Sequence, residues 1–371
     1  GRGCIGQLVS ESGYRVTFVD VDRDHVDALR EHGEYPLQTV FNDETADHCI
    51  GPVTAVHATE EEAVVTALVE AEIGATALGA RALPHIAPLL AKGIVRRLQQ
   101  RGDPLNVIVC ENLKGASAHL RGLVNESVPE GMRESVETAL GLVDTVIGRM
   151  VPAPTEEMRR RDVRFIRTEP YKELPVDRNG FRDGIPDIVA MEPHAPFGVF
   201  TARKLYIHNC GHAVLAYLGA LRGHTYGYEA LEDPGIRPIL DQALAESKEG
   251  IVAEYGADPA WLQAHIDDLL VRFGNRALGD TVFRLGRDPV RKLQPSDRMI
   301  APLRCAERAG IRPVHLAAGV AAALHFGPED DPVARALQAR LRNEGAAKVL
   351  SDVCGIEPEE PTGRLVLELY T

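Results

Sequence analysis

A lysine, an asparagine and a histidine share one short stretch of the chain, KLYIHNCGHAVLAYLGALRGH (204–224), as Lys204, Asn209 and His212. The spacing, K-x4-N-x2-H, runs straight into an apolar helix-forming segment. On an α-helix at about 100° per residue the three fall within roughly a 140° arc, which one small polar ligand could face. A neutral amine can take a proton from a hydroxyl. A carboxamide and an imidazole can hold the oxygen that hydride loss turns into a carbonyl. The chemistry this suggests is alcohol oxidation with lysine as general base. An ordinary lysine titrates near about 10.4, so desolvation or nearby positive charge has to lower it for that task. The same residue types also suit a surface lysine and a satisfied histidine. His208 and His212 form an H-x3-H pair with zinc-ligand spacing. No Glu follows His208 and no third ligand stands nearby, so no metal is expected.

A second concentration of chemistry lies in RLGRDPVRKLQPSDRMIAPLRCAER (284–308), where Arg284, Arg287, Arg291, Lys292, Arg298, Arg304 and Arg308 face three acids. On a chain of net charge −13 that local excess of positive charge is unusual. Guanidinium forks match the oxygens of a phosphate ester. A solvated helix-and-turn surface would also account for the run. Arg291, Lys292 and Arg298 are the expected phosphate ligands.

These residues need a scaffold, and 371 residues suffice for two domains with sizeable cores. Hydrophobic residues make up 44% and charged residues 26%, ordinary values for a globular chain. The acidic balance argues against general nucleic-acid binding. Six cysteines, with no C-x-x-C pair, fit a reducing compartment rather than a disulfide framework. Apolar runs such as HLAAGVAAALHF (315–326) are too short to span a bilayer, and no signal peptide is evident. A cytoplasmic enzyme with a small-molecule substrate is expected, with a monomer favoured.

RVTFVDVD (15–22) reads as a buried parallel strand, and RDHVDALREHG (23–33) as a helix closed by Gly33. AVHAT (55–59), IGATALG (73–79) and NVIVCEN (106–112) read as further strands, with a helix between the last two despite its prolines. Strands alternating with helices predict an α/β fold built on a doubly wound parallel sheet. MVPAPTEEMRRRD (150–162) reads as a loop or crossing, and VRFIRTEPYKELPVD (163–177) as additional strands. From about Lys204 onward the pattern is helix after helix. The expected division is a sheet-rich domain at 1–190 and an all-helical domain at 191–371.

GRGCIG (1–6) matches G-x-G-x-x-G, but no strand precedes it, and the dinucleotide fingerprint requires one. Asp20 ends the strand at the position where a carboxylate accepts hydrogen bonds from ribose hydroxyls and repels a 2′-phosphate, which favours NAD over NADP. Asp20 and Asp22 would equally cap the helix that follows.

The K-x4-N-x2-H segment, ENLKG (111–115), HFGPEDDP (325–332) and the pattern Arg287, Pro289, Arg291, Lys292, Leu293, Asp297, Arg298 together resemble the polyol-specific long-chain dehydrogenase (mannitol dehydrogenase) family. The resemblance spans essentially the whole chain and is strongest to the mannitol-1-phosphate 5-dehydrogenase branch. It implies a Rossmann-like domain binding NAD, a helical substrate domain, zinc-independent catalysis by Lys204, Asn209 and His212, and a sugar-phosphate substrate. It also reframes the glycines. Gly1 becomes the third glycine of the phosphate loop, with the first strand and two earlier glycines absent from this sequence. On that frame Gly1 and Gly3 serve close packing and the helix start, and Arg2 lies near the pyrophosphate. Thr76 and Gly79 would approach the cofactor. Asn112 would face the nicotinamide or substrate, the alternative being a cap on the helix that starts near Gly115.

Overall fold

The computed structural model describes residues 1–371 and divides into two compact units, Gly1–Phe197 and Gly198–Thr371. The first is a Rossmann-type α/β unit and the second is largely helical.

In the first unit, helix α1 (Ile5–Glu11) leads into strand β1 (Val16–Asp20), helix α2 (Arg23–His32), the hairpin β2 (Tyr35–Phe41) and β3 (Glu44–Ile50), and strand β4 (Val53–His57). Helix α3 (Glu61–Glu70), β5 (Ile73–Thr76), α4 (Leu83–Gln100), β6 (Leu105–Val109), α5 (Ala116–Ser127), α6 (Arg133–Ala139) and β7 (Leu140–Asp144) follow. The stretch read as a polar crossing contains a short helix, α7 (Glu156–Arg161), capped by the Thr155 side chain. Strands β8 (Ile166–Thr168), β9 (Leu174–Asp177) and β10 (Met191–His194) complete the unit.

The strand pairing is mostly parallel. β1 pairs with β4, and β5, β6 and β7 form a ladder with β6 in the middle. β1 and β5 do not pair with each other, so the single sheet expected from the sequence is present as separate ladders. Every residue of β6 is buried, as a strand covered on both faces requires. Its side chains alternate between two cores. Leu105, Val107 and Val109 pack with α4 and α5, whereas Ile108 packs with Ile5 and Leu8 of α1 and with Val143. The β2–β3 hairpin was not foreseen. Its signal was the Asn42–Asp43 pair between alternating residues, with Asn42 at φ 51.

Two glycines at the start of the chain hold helix and strand together. A Cβ at Gly6 would lie 2.8 Å from the Phe18 ring of β1, and one at Gly3 would lie 2.8 Å from Val151. Gly1 has no such neighbour, its nearest contact being Ala77 Cβ at 3.8 Å. Close packing therefore falls to Gly3 and Gly6 rather than to Gly1.

The second unit opens with α8 (Gly198–Ala202), a π-helical turn (Arg203–Asn209) and α9 (Cys210–Leu221), which is buried along most of its length. Around it come α10 (Gly227–Glu232), α11 (Arg237–Tyr255), α12 (Pro259–Phe273), α13 (Val282–Gly286), α14 (Pro289–Lys292), α15 (Ile300–Arg308) and α16 (Val314–His325). The chain ends in α17 (Pro332–Glu344), α18 (Ala346–Val349) and α19 (Pro361–Tyr370). α9 and α16 are apolar nearly all round, which is what a helix at the centre of a bundle requires. No helix is long and apolar enough to cross a membrane.

Candidate functional site

Residues 204–212 are helical, with one difference from the α-helix on which the expected arc rests. Residues 203–209 are wound as a π turn, so Cys210 N donates to Leu205 O five residues back. Lys204 and Asn209 are also five apart, and i→i+5 winding stacks them more nearly above one another than an α-helix would. Tyr206 O, inside this turn, accepts a 2.7 Å hydrogen bond from the buried Ser247 hydroxyl of α11. That bond satisfies a buried carbonyl in the turn. Lys204, Asn209 and His212 are half-buried, while Tyr206, Ile207, His208 and Cys210 between them are buried. The three are thus the polar side chains that this segment leaves partly open, with Leu205 beside them.

The surroundings of His212 are positive. Burial holds its pKa well below the ordinary histidine value, and the charges of Lys204, Arg284, Arg272 and Arg298 push it the same way. His208, 2% exposed, is held neutral by burial and by Lys204. His265 is pulled down to about 2, chiefly by burial. The H-x3-H pair packs ring against ring, with His208 and His212 centroids 5.1 Å apart. No group of three or more His, Cys, Asp or Glu side chains is arranged to hold a metal ion.

The basic stretch divides. Arg298 is half-buried, donates from Nε to Asp297 at 2.7 Å, and its charge bears on His212. Arg284, ion-paired with Asp280, also bears on His212, and its buried Nε has no hydrogen-bond partner. Arg291 is exposed and paired with Asp288 at 3.2 Å. Lys292 is buried, and its Nζ donates to Leu285 O and Arg287 O, each at 2.6 Å. Two of its three donors thus fasten the last turn of α13, and burial draws its pKa down to about 7. Nothing in the sequence separates Lys292 from its neighbours, because a structural ammonium and a ligand-binding one look alike in a basic run. Arg272, 5% exposed and bonded to Asp268, was not singled out at all.

In the first unit the candidate cofactor residues gather at carboxyl ends of parallel strands, where ligands bind in such sheets. Asp20 ends β1, and its Oδ1 accepts from Asp22 N at 3.0 Å. Asp22, not Asp20, caps α2 by accepting from His25 N. Thr76 ends β5, 4% exposed, and its hydroxyl has no hydrogen-bond partner in the protein. Gly79 adopts φ 90 with nothing within 4 Å of where a Cβ would sit. Glu111 shapes this loop by accepting from Leu78 N at 3.1 Å and Gly79 N at 2.8 Å. Asn112 is exposed and does not cap α5, whose N-cap Gly115 has no side-chain cap. Asp144 serves that helix instead, accepting from Ser117 N and from its hydroxyl. Arg2 Nη1 donates to Arg164 O at 3.1 Å, and its charge lies close to Asp20. Gly3 is buried, whereas Gly1 is exposed.

Comparison with known proteins agrees with this architecture. Residues 1–190 match the model of the mannitol dehydrogenase Rossmann domain, and residues 197–354 that of the mannitol dehydrogenase C-terminal domain. The structure is similar to a substrate-free D-sorbitol dehydrogenase, at TM-score 0.80 and 16% identity over 98% of this chain and 87% of that one. It is also similar to the Pseudomonas fluorescens mannitol 2-dehydrogenase ternary complex with NAD and D-mannitol, at TM-score 0.73 and 17% identity over 95% of this chain and 83% of that one. At such identities the likeness is one of fold. The two domain matches together span most of the chain, which belongs to the mannitol dehydrogenase family, oxidoreductases acting on CH–OH groups.

Proposed function

We infer that this chain is an NAD-dependent polyol-phosphate dehydrogenase that interconverts D-mannitol 1-phosphate and D-fructose 6-phosphate. The observation that carries the reading is the partly open set Lys204, Asn209 and His212, with the charges of Lys204, Arg272, Arg284 and Arg298 bearing on the His212 ring. Lys204 takes the proton of the hydroxyl on carbon 5 of the sugar alcohol. Asn209 and His212 donate hydrogen bonds to that oxygen as it becomes an alkoxide and then a carbonyl. Bound NAD accepts the hydride from the same carbon. The first unit has groups suited to holding it. Asp20 keeps Oδ2 for the ribose hydroxyls, the unpartnered Thr76 hydroxyl and the open Gly79 loop suit close approach, and Arg2 brings positive charge beside Asp20.

Positive charge around His212 favours a phosphate-bearing substrate. Arg298 and Arg284 are its best-placed ligands, with Arg291 at the exposed rim. A second reading is an unphosphorylated polyol, as the D-sorbitol and mannitol dehydrogenases of like fold suggest. Following NADH formation with mannitol 1-phosphate, mannitol and sorbitol separates the two. A kcat/KM for mannitol 1-phosphate at least about 10-fold above the free polyols is expected, the least that one charge-assisted contact contributes. Equal or reversed preference would support the second reading.

A further inference from the structure

Three rings meet where the π turn runs into α9. His212 lies nearly face to face with Phe273, their centroids 3.8 Å apart and their planes at 23°. His208, one turn earlier, sets its ring steeply against both, at 5.1 Å from His212 and 6.0 Å from Phe273. Phe273 is the last residue of α12 and is buried. Gly211 makes room for it: a Cβ there would lie 3.3 Å from Phe273 Cε2 and 3.2 Å from Leu244 Cδ2.

An imidazole that serves a substrate oxygen has to be aimed. In most sites a hydrogen bond to one ring nitrogen fixes which way the other points. His212 has no such bond to the protein, so its orientation rests on packing. The charges that bear most strongly on it are all basic. They are Lys204 on the π turn, Arg272 on α12, Arg284 on α13 and Arg298 ahead of α15. The last three carry carboxylate partners in Asp268, Asp280 and Asp297. No carboxylate pairs with the His212 ring itself to draw a proton onto it. Water is the remaining group that could stabilise an imidazolium, and the Phe273 face excludes it from one side of the ring.

We propose that Phe273 is a positioning residue for His212, fixing the plane of the imidazole and keeping it a neutral hydrogen-bond donor to the substrate oxygen. This rests on the reading of His212 as a ligand of that oxygen. It also gives the H-x3-H spacing a use unrelated to metal, since His208 one turn away sets its ring against the edge of the stacked pair. A cationic His212 would add another positive charge beside Lys204, Arg284 and Arg298. A neutral one donates its hydrogen bond without that repulsion.

The test is Phe273→Leu, which fills most of the volume but removes the flat face. The readouts are kcat, KM and their pH profiles with mannitol 1-phosphate, and the NMR titration of the His212 ring, assigned through His212→Asn. Expected are a kcat lower by about 10- to 100-fold, the scale of a misaimed catalytic group, and a KM changed by less than about 3-fold. The His212 resonance should begin to titrate between pH 5 and 7, roughly where a less shielded histidine does, with a matching acid limb in kcat. Gly211→Ala should act in the same direction to a smaller degree. It presses a methyl onto Phe273 while favouring the helix. If Phe273→Leu does not fold, the same readouts on Gly211→Ala decide. An unchanged kcat or an unchanged His212 titration overturns the proposal. Full activity in His212→Asn would instead remove the site reading beneath it.

Discussion

Acid should unfold the helical unit, and His208 should set a measurable part of the slope. His208 is 2% exposed, its Nδ1 has no hydrogen-bond partner, and burial, then Lys204 and His212, hold its folded pKa well below the ordinary value. The unfolded chain titrates this ring near about 6.5. Below that pH the unfolded state binds a proton that the folded state refuses. Stability contributed by the neutral ring is therefore fully present above the unfolded pKa and is lost as pH falls below it. One such group changes unfolding free energy by about 1.4 kcal/mol per pH unit, which integrates to about 2 kcal/mol between pH 7.5 and 5.0. That is a large share of a domain stability of about 5–15 kcal/mol. His208→Phe keeps a flat ring in the slot and removes the titration. The chain's single tryptophan, Trp261, lies on α12 in the same unit, beneath the Arg203 guanidinium at 4.5 Å. Its fluorescence can follow urea unfolding of that unit. The gap between wild type and His208→Phe should change by about 2 kcal/mol over this pH range, or roughly 1 M in urea midpoint. His212 and His265 titrate in both proteins and cancel to first order. Parallel pH dependences would refute the burial argument.

Other outcomes follow from the same geometry. Arg298→Ala and Arg284→Ala should raise KM for mannitol 1-phosphate by about 10- to 150-fold, the weight of a charge-assisted contact, and leave mannitol kinetics nearly unchanged; equal effects on both substrates would make these side chains part of a solvated face. Asp20→Ala should weaken NAD and narrow its advantage over NADP, read from kcat/KM for each cofactor; a wild type that prefers NADP would contradict the role given to Asp20. Ser247→Ala should cost about 1–3 kcal/mol in urea melts by orphaning Tyr206 O, and should lower kcat through the π turn that bears Lys204 and Asn209; unaltered kcat would separate the turn from catalysis.

Residue types, spacing and the family resemblance marked Lys204, Asn209 and His212 as candidates, and the structure leaves all three half-buried on one helical segment. The π turn was not legible, since the contact made to it by Ser247, about forty residues away in sequence, on a backbone carbonyl leaves no local signal. Asp20 was readable as a strand end, yet only the structure shows that Asp22 rather than Asp20 caps α2. Asn112 and Asp144 show the same limit. Both could cap α5 by type, and tertiary placement chose Asp144. β7 was missed because ALGLVD follows a helix without a turn signal, and its partner β6 is distant in sequence. Lys292 reads as one more cation in a basic run until its ammonium is seen on two carbonyls. Phe273 carries no motif, and only its ring against His212 marks it.

The most direct test of the central claim is steady-state NADH formation from mannitol 1-phosphate by wild type and Lys204→Ala across pH 7 to 10. A general base contributes about 10²–10⁴-fold. The account predicts a kcat at least about 10²-fold lower in the variant, with the rise of activity with pH seen in the wild type lost. A Lys204→Ala enzyme with near-normal kcat and the same pH profile would contradict it.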